Sequence, residues 1–177
     1  MLELSLIHIC PAAAYLIKVI PPLCGRYLDD KNSGRQRVFS VEVAAGIFAN
    51  KFIGYTNEAI ALMLLDSKGQ ILYCDIVNEG AVSMAVVYVR EIVKLAVHYN
   101  AVSALLAHNH PSGNTTPTAG DLNSTREVYR ALESVQVCLE DHIIIGDGDF
   151  LSLANSGVLP DLYPEVDLIE EEESLEG

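Results

Sequence analysis

From Ser40 onward the hydrophobic pattern changes period repeatedly, and this alternation constrains the fold more than any other feature of the chain. Ser40 is placed to cap a helix whose apolar residues Val43, Ala44, Ile47, Phe48 and Phe52 recur at helical spacing, and Gly54 marks its end. "EAIALMLLD", "SKGQ" and "ILYCDIV" then read as a hairpin, two apolar runs around a glycine-containing turn. "VVYVREIVKLAVHYN" returns to helical spacing, with Val86, Val89, Val93, Ala96 and Val97 on one face and Asn100 as its stop. The buried strand "AVSALLAH" follows. Leu122, Thr125, Tyr129, Leu132 and Val135 or Gln136 mark a further helix, and "HIIIG", "DGD" and "FLSLA" read as a closing hairpin. Strands interleaved with helices predict an α/β layered domain, not a helical bundle or a β-sandwich.

The chain has 177 residues, half of them hydrophobic and 20% charged, with a positive mean hydropathy. These values suit one globular domain with peripheral additions. The polar, turn-rich stretch "GRYLDDKNSGRQR" separates an apolar N-terminal segment (1–36) from the domain (37–160), and Pro21-Pro22 is expected to end any helix before it. An acidic, disordered tail (161–177) is expected to follow. That tail holds eight acidic residues and no Lys or Arg, so the formal charge of −13 leaves about −5 on the body. Counterion release by Lys and Arg supplies most non-specific DNA affinity, so DNA association is not supported by the charge. Cys10, Cys24, Cys74 and Cys138 form no C-x-x-C pair and read as buried, reduced thiols. The longest charge-free run near the start, Leu4 to Ile17, is shorter than a membrane span of about 20 residues. Glu3 is wrong for a signal-peptide start. The cytosol is the expected compartment, with no membrane partner.

The chemistry is concentrated in "LLAHNHPSGNTTPTAGDL", Leu105 to Leu122. His108 and His110 end an apolar strand, where residues two apart point to the same face about 6 to 7 Å apart at Cα, so both imidazoles can converge on one ion. Asn109 faces the other way. Pro111 keeps His110 extended, and Asp121 falls in the first turn of the next helix. Two imidazoles and a carboxylate are a ligand set used by catalytic zinc, which leaves the fourth position to water. Spacing alone also allows two exposed loop histidines and an aspartate placed for the helix dipole.

The string "HNHPSGNTTPTAGD" resembles the metal signature of the JAMM (MPN+) metalloprotease superfamily, H-x-H-x7-[S/T]-x2-D, in the form found in RadC-like JAB-domain proteins. "VREIVKLAVHYNAVSALLAHNHPSG" and "EDHIIIGDGDFLSLANSG" resemble the same family's central helix, ligand strand and closing hairpin, and the likeness runs from Arg37 to Leu159. It implies a JAB/MPN-like (cytidine-deaminase-like) mixed central sheet flanked by helices. It also implies Zn2+ on His108, His110 and Asp121. Thr118 stands where the superfamily places a serine that helps stabilise the tetrahedral intermediate; it also reads as the N-cap in T-x-x-D. The resemblance implies Glu58, at the start of the first hairpin, as the base, with Glu79 and Glu91 as competitors. Asp141-His142 resembles a "DH" pair in a supporting role. Tyr88 and Val89 depart from a common His-Pro, away from the ligands.

The resemblance therefore implies a zinc metallohydrolase, a peptidase or isopeptidase with a protein or peptide substrate. Two other classes compete. One is a non-catalytic RadC-like protein associated with DNA repair or mobile elements. The other is a metal-dependent nuclease prompted by the letters "HNH", although true HNH nucleases spread those residues over a ββα finger.

Overall fold

The computed structural model describes residues 10–32, 37–80 and 85–159. Its elements are α1 (Pro11–Asn32), α2 (Val41–Lys51), β1 (Ala59–Leu65), β2 (Ile71–Glu79), α3 (Ala85–His98), β3 (Ser103–Asn109), α4 (Ala119–Glu133), β4 (Cys138–Ile145) and β5 (Phe150–Ser152). β1 and β3 are buried at every position, so both faces of the sheet centre must be covered. The strand order is β2-β1-β3-β4-β5. Only β3 and β4 pair in parallel, joined through α4, while the other pairs are antiparallel. This mixed sheet between helices is the α/β architecture expected, consistent with the JAB/MPN fold.

Strand alternation divides the core in two. On one face Ala59, Ala61, Met63, Leu105, Ala107, Ile143 and Ile145 pack under Ala44, Ala45 and Phe48 of α2. The opposite face carries Ile60, Leu62, Leu64, Ala104 and Leu106 under Ile92 and Ala96 of α3 and Val128 and Leu132 of α4. A fully buried aliphatic side chain contributes roughly 1.5 to 3 kcal/mol, so these two layers dominate the fold's stability. Ser40 caps α2 by accepting from the Val43 N–H, and Asn100 leaves α3 at φ 50°, as their positions in the sequence led one to expect.

Two helix faces are rotated from the expected ones. Among the described side chains of α3 the buried ones are Ile92 and Ala96, the expected Val89 packs at the margin of the core, and Val97 is 60% exposed. Apolar residues almost encircle this segment, so periodicity did not single out a stripe; Val86's side chain lies outside what is described. In α4 the buried row is Asp121, Ser124, Thr125, Val128 and Leu132, with Leu122 and Tyr129 at its margins. α4 ends before Val135, and Gln136 is exposed at φ 62°.

The N-terminal expectation needs a larger correction. α1 runs through Pro21 and Pro22 and takes in residues 25–32 of the expected linker. Tertiary contact overrides the propensity here: Pro21 rests against Gly54 so closely that a Cβ there would lie 3.1 Å from the proline, and Gly25 is buried against α2. The thiol expectation also changes. No disulfide forms, but Cys10, Cys24 and Cys138 are exposed and only Cys74 is half-buried. Among the described residues no helix is long and apolar enough to cross a membrane. The acidic tail lies outside the described residues, as do the first nine residues of the apolar N-terminal segment.

Candidate metal centre

The face of β3 that buries Ala104 and Leu106 continues into His108 and then His110, so the hydrophobic layer ends in two imidazoles. α4 does the same in the other direction. Its inward row passes from Leu132 and Val128 to Thr125 and Asp121. One end of the helix–sheet interface is therefore polar, and there His108, His110 and Asp121 bring one ligand atom each within 4.8 Å of one another. His108 and Asp121 are buried.

Local structure aims each group. His110 N–H bonds to Ile145 O at 2.8 Å, extending the parallel pairing one residue past β3. Gly113, at φ 80°, then turns the chain back, and His110 Nδ1–H donates to Asn114 O at 2.6 Å. A carbonyl only accepts, so the proton sits on Nδ1 and Nε2 faces the centre. Thr118 caps α4 in a reciprocal capping box: its hydroxyl and its N–H each lie 2.7 Å from Asp121 Oδ2, and Asp121 N–H returns to Thr118 Oγ1 at 3.2 Å. Thr118's capping role is visible directly.

His108 Nε2 and His110 Nε2 are 2.9 Å apart. Asp121 Oδ1 lies 3.4 Å from the first and Oδ2 lies 3.5 Å from the second. Two ring nitrogens this close need a proton or a cation between them. A divalent ion satisfies both nitrogens and the carboxylate at once, so the donor set fits zinc chemistry. Burial pushes the His108 imidazole down to about 4, against the Asp121 carboxylate that raises it and with His110 lowering it further. Behind it, His142 is held well below its usual value by burial, then by His108 and His110. Both rings are neutral near pH 7, the form that ligates metal.

The three candidate glutamates occupy different faces. Glu58 sits half-buried just before β1, with its carbonyl bonded to Gly80 N–H at 2.9 Å. Ile60, two residues on, pairs with His108, and the two-residue period of β1 carried back past its first residue would put Glu58 on that same face. Glu79 pairs with Ala59 on the α2 face, where its charge acts on Tyr55. Glu91 forms an ion pair with Lys94 at 3.2 Å on the exposed side of α3.

An open cleft of about 450 Å³ adjoins His110, between the C-terminal end of α2 (Phe52, Ile53, Tyr55) and the turns at Ser112-Gly113 and Gly146-Asp147. It lies outside the carboxyl ends of the parallel pair β3 and β4, where open α/β sheets generally bind ligands. Asn109 faces this α2 side, away from the imidazoles, as alternation predicts. The letters H-N-H therefore do not form one constellation.

Sequence reasoning gave His142 a supporting role without a partner and left Thr125 unassigned. His142 Nε2 is 2.7 Å from His108 Nδ1, and His142 Nδ1 is 2.6 Å from Thr125 Oγ1. The "DH" pair splits its roles. Asp141, on the other face, bonds the Ser152 hydroxyl and the N–H groups of His142 and Ala154, tying β5 to β4. Burial raises its carboxyl, partly offset by the Ser152 and backbone bonds.

A RadC-like JAB domain model matches residues 38–158. Among curated relatives, the UPF0758 protein of Pseudomonas fluorescens is 44% identical over 103 residues, 58% of this chain and 46% of that protein. Those of Idiomarina loihiensis and Geotalea uraniireducens are each 34% identical over 149 residues, 84% of this chain. The chain spans 46% of the length of the first of these relatives and 66% and 65% of the other two. With a sheet, a polar helix end and a His-His-Asp group arranged as described, the chain belongs to the RadC-like JAB domain family.

Proposed function

We propose that this chain is a zinc-dependent hydrolase of JAMM type that cleaves a peptide or isopeptide bond. The observation that carries the reading is the convergence of two Nε2 atoms and one carboxylate at a buried point beside an open cleft. His108, His110 and Asp121 would hold the ion. Bound zinc lowers the pKa of a water toward about 7 and polarises a carbonyl.

The chain's own residues supply the rest. Glu58, on the histidine face, accepts a proton from the attacking water and returns it to the leaving nitrogen. Asn114 O and the capping box keep His110 and Asp121 aimed inward. The cleft beside Phe52, Ile53 and Tyr55 takes the substrate backbone and excludes water on its apolar side. Thr118, exposed at the rim, has its hydroxyl committed to Asp121, which favours capping over contact with an intermediate. A cytosolic setting suits four cysteines that form no disulfide, and the acidic body favours a protein or peptide substrate over DNA.

The test is zinc content by elemental analysis together with a broad peptide and isopeptide screen, run beside a nuclease assay. Turnover of an amide substrate that disappears on chelation and returns with zinc supports the reading. Metal-dependent cleavage of nucleic acid alone overturns it. Zinc-loaded protein that turns over nothing in a wide screen moves the balance to a non-catalytic role.

A further inference from the structure

We propose that His142 is a positioning residue for the metal centre, which together with Thr125 locks His108 in the tautomer whose Nε2 carries a lone pair toward the ion. The inference rests on the metal reading above and adds to it two residues outside the ligand set.

The direction of every proton in the chain can be worked out from one oxygen. Thr125 Oγ1 lies 2.6 Å from the Asp121 carbonyl. Two oxygens that close need a hydrogen between them, and the carbonyl has none, so the Thr125 hydroxyl donates there. Its proton is then spent, and toward His142 Nδ1, 2.6 Å away, Thr125 only accepts. His142 therefore carries its proton on Nδ1 and presents a bare Nε2. That nitrogen is 2.7 Å from His108 Nδ1, so His108 donates Nδ1–H and keeps Nε2 unprotonated. The relay runs from the Asp121 backbone through Thr125 and His142 to His108 and ends at the ligand atom.

The alternative tautomer is costly in this setting. His142 and Thr125 are 3% and 0% exposed, so water cannot replace a lost partner. An Nε2–H on His108 would leave Nδ1 and His142 Nε2 facing each other as two acceptors in a dry site, and would block the ligand position. The relay also couples both sides of the centre, since Thr125 is one helical turn from Asp121 and bonds its carbonyl. Partners of this kind typically change metal affinity 10- to 100-fold when removed.

Zinc chloride titration against a chromophoric chelator, on the full chain, tests the proposal. His142→Leu should bind zinc 10- to 100-fold more weakly. His142→Gln should recover most of that loss, because its carbonyl accepts from His108 and its amide donates to Thr125. Thr125→Val should weaken binding by about tenfold with circular dichroism unchanged, and it decides the matter if His142→Leu does not fold. Independently, long-range proton–nitrogen NMR of the metal-free wild type should show His108 protonated on Nδ1. A purely structural role for His142 predicts lower melting temperatures with wild-type zinc affinity. That result, or an Nε2–H on His108 in the wild type, overturns this inference alone. A wild type that takes up no zinc overturns the metal reading with it.

Discussion

The side-chain amide of Asn109 holds both peptide groups that flank Glu58. Oδ1 accepts from the Ala59 N–H at 2.7 Å, and Nδ2 donates to the Asn57 carbonyl at 3.1 Å. The residue between the two histidines thus ties the proposed base to the ligand strand, in the manner of one extra rung of backbone pairing. Asn109→Ala removes both partners, and leaving a buried backbone group unpaired costs about 1 to 3 kcal/mol. Urea unfolding should show a loss in this range or above it, with zinc uptake near wild type and turnover reduced. A variant as stable as the wild type would remove the clamp from the account.

His110→Ala and Asp121→Asn separate the ligand set from its scaffolding. His110→Ala deletes a proposed ligand on a loop end and should abolish tight zinc binding while shifting the melt of the metal-free protein little. Asp121→Asn keeps a side chain in the capping box but loses the negative charge, so it should weaken zinc and also lose a helix-dipole term of about 0.3 to 1 kcal/mol. Equal zinc content in wild type and His110→Ala after dialysis would reject the site.

The parts of this centre that could be read from the sequence are the local ones. His108 and His110 share a face because a strand alternates, and Asp121 points inward because T-x-x-D caps a helix; both rules act within four residues. The His142–His108 and Thr125–His142 contacts bridge 34 and 17 residues, and no spacing rule reaches that far. Thr125 was legible as a core-facing residue of its helix, but its hydroxyl gave no sign of its partner. The α3 face was legible only in part, at Val89 and Ala96 but not Ile92, for the opposite reason: "VVYVREIVKLAV" offers more apolar positions than one stripe can bury. The helix through Pro21-Pro22 depends on contacts with Gly54 and α2 that the segment does not encode.

Gly146 controls the loop that aims His110. A Cβ at this position would collide with the Gly113 carbonyl and lie 2.7 Å from Thr115 Cγ2. Overpacking of this kind typically costs about 1 to 3 kcal/mol, and here the strain falls on the segment that supplies Asn114 O to His110. Gly146→Ala should therefore lower the melting temperature and weaken zinc several-fold together. Stability lost with zinc affinity intact would show that the loop yields elsewhere.

Acid should destabilise the metal-free protein in a defined window. The folded His108 titrates near 4 against a usual value of 6.5, and His142 is displaced in the same direction. Below pH 6.5 the unfolded chain binds protons that the folded chain refuses, so stability falls as pH drops from about 6.5 toward 4. The loss is on the order of a few kcal/mol. Asp141, raised by burial, works in the opposite direction. Thermal melts between pH 8 and 4.5 should show the decline, and His142→Gln should reduce its slope. A flat profile would mean that neither ring is held neutral by the fold.

Glu58→Gln tests the proposed base apart from the metal. Glutamine keeps the size of the side chain and its hydrogen bonding, and the Glu58 carbonyl bond to Gly80 is a backbone contact that the change does not touch. Zinc affinity and the melt should stay close to wild type. What is lost is a carboxylate able to take the water's proton, and general-base catalysis contributes about 10²- to 10⁴-fold, so turnover of any amide substrate found in the screen should fall by that factor. Glu79→Gln and Glu91→Gln serve as controls, one on the opposite face of the sheet and the other paired with Lys94 on α3, and both should retain activity. Full turnover in Glu58→Gln would discard it as base. Loss in Glu79→Gln instead would move the base to the strand pair at Ala59 and Glu79.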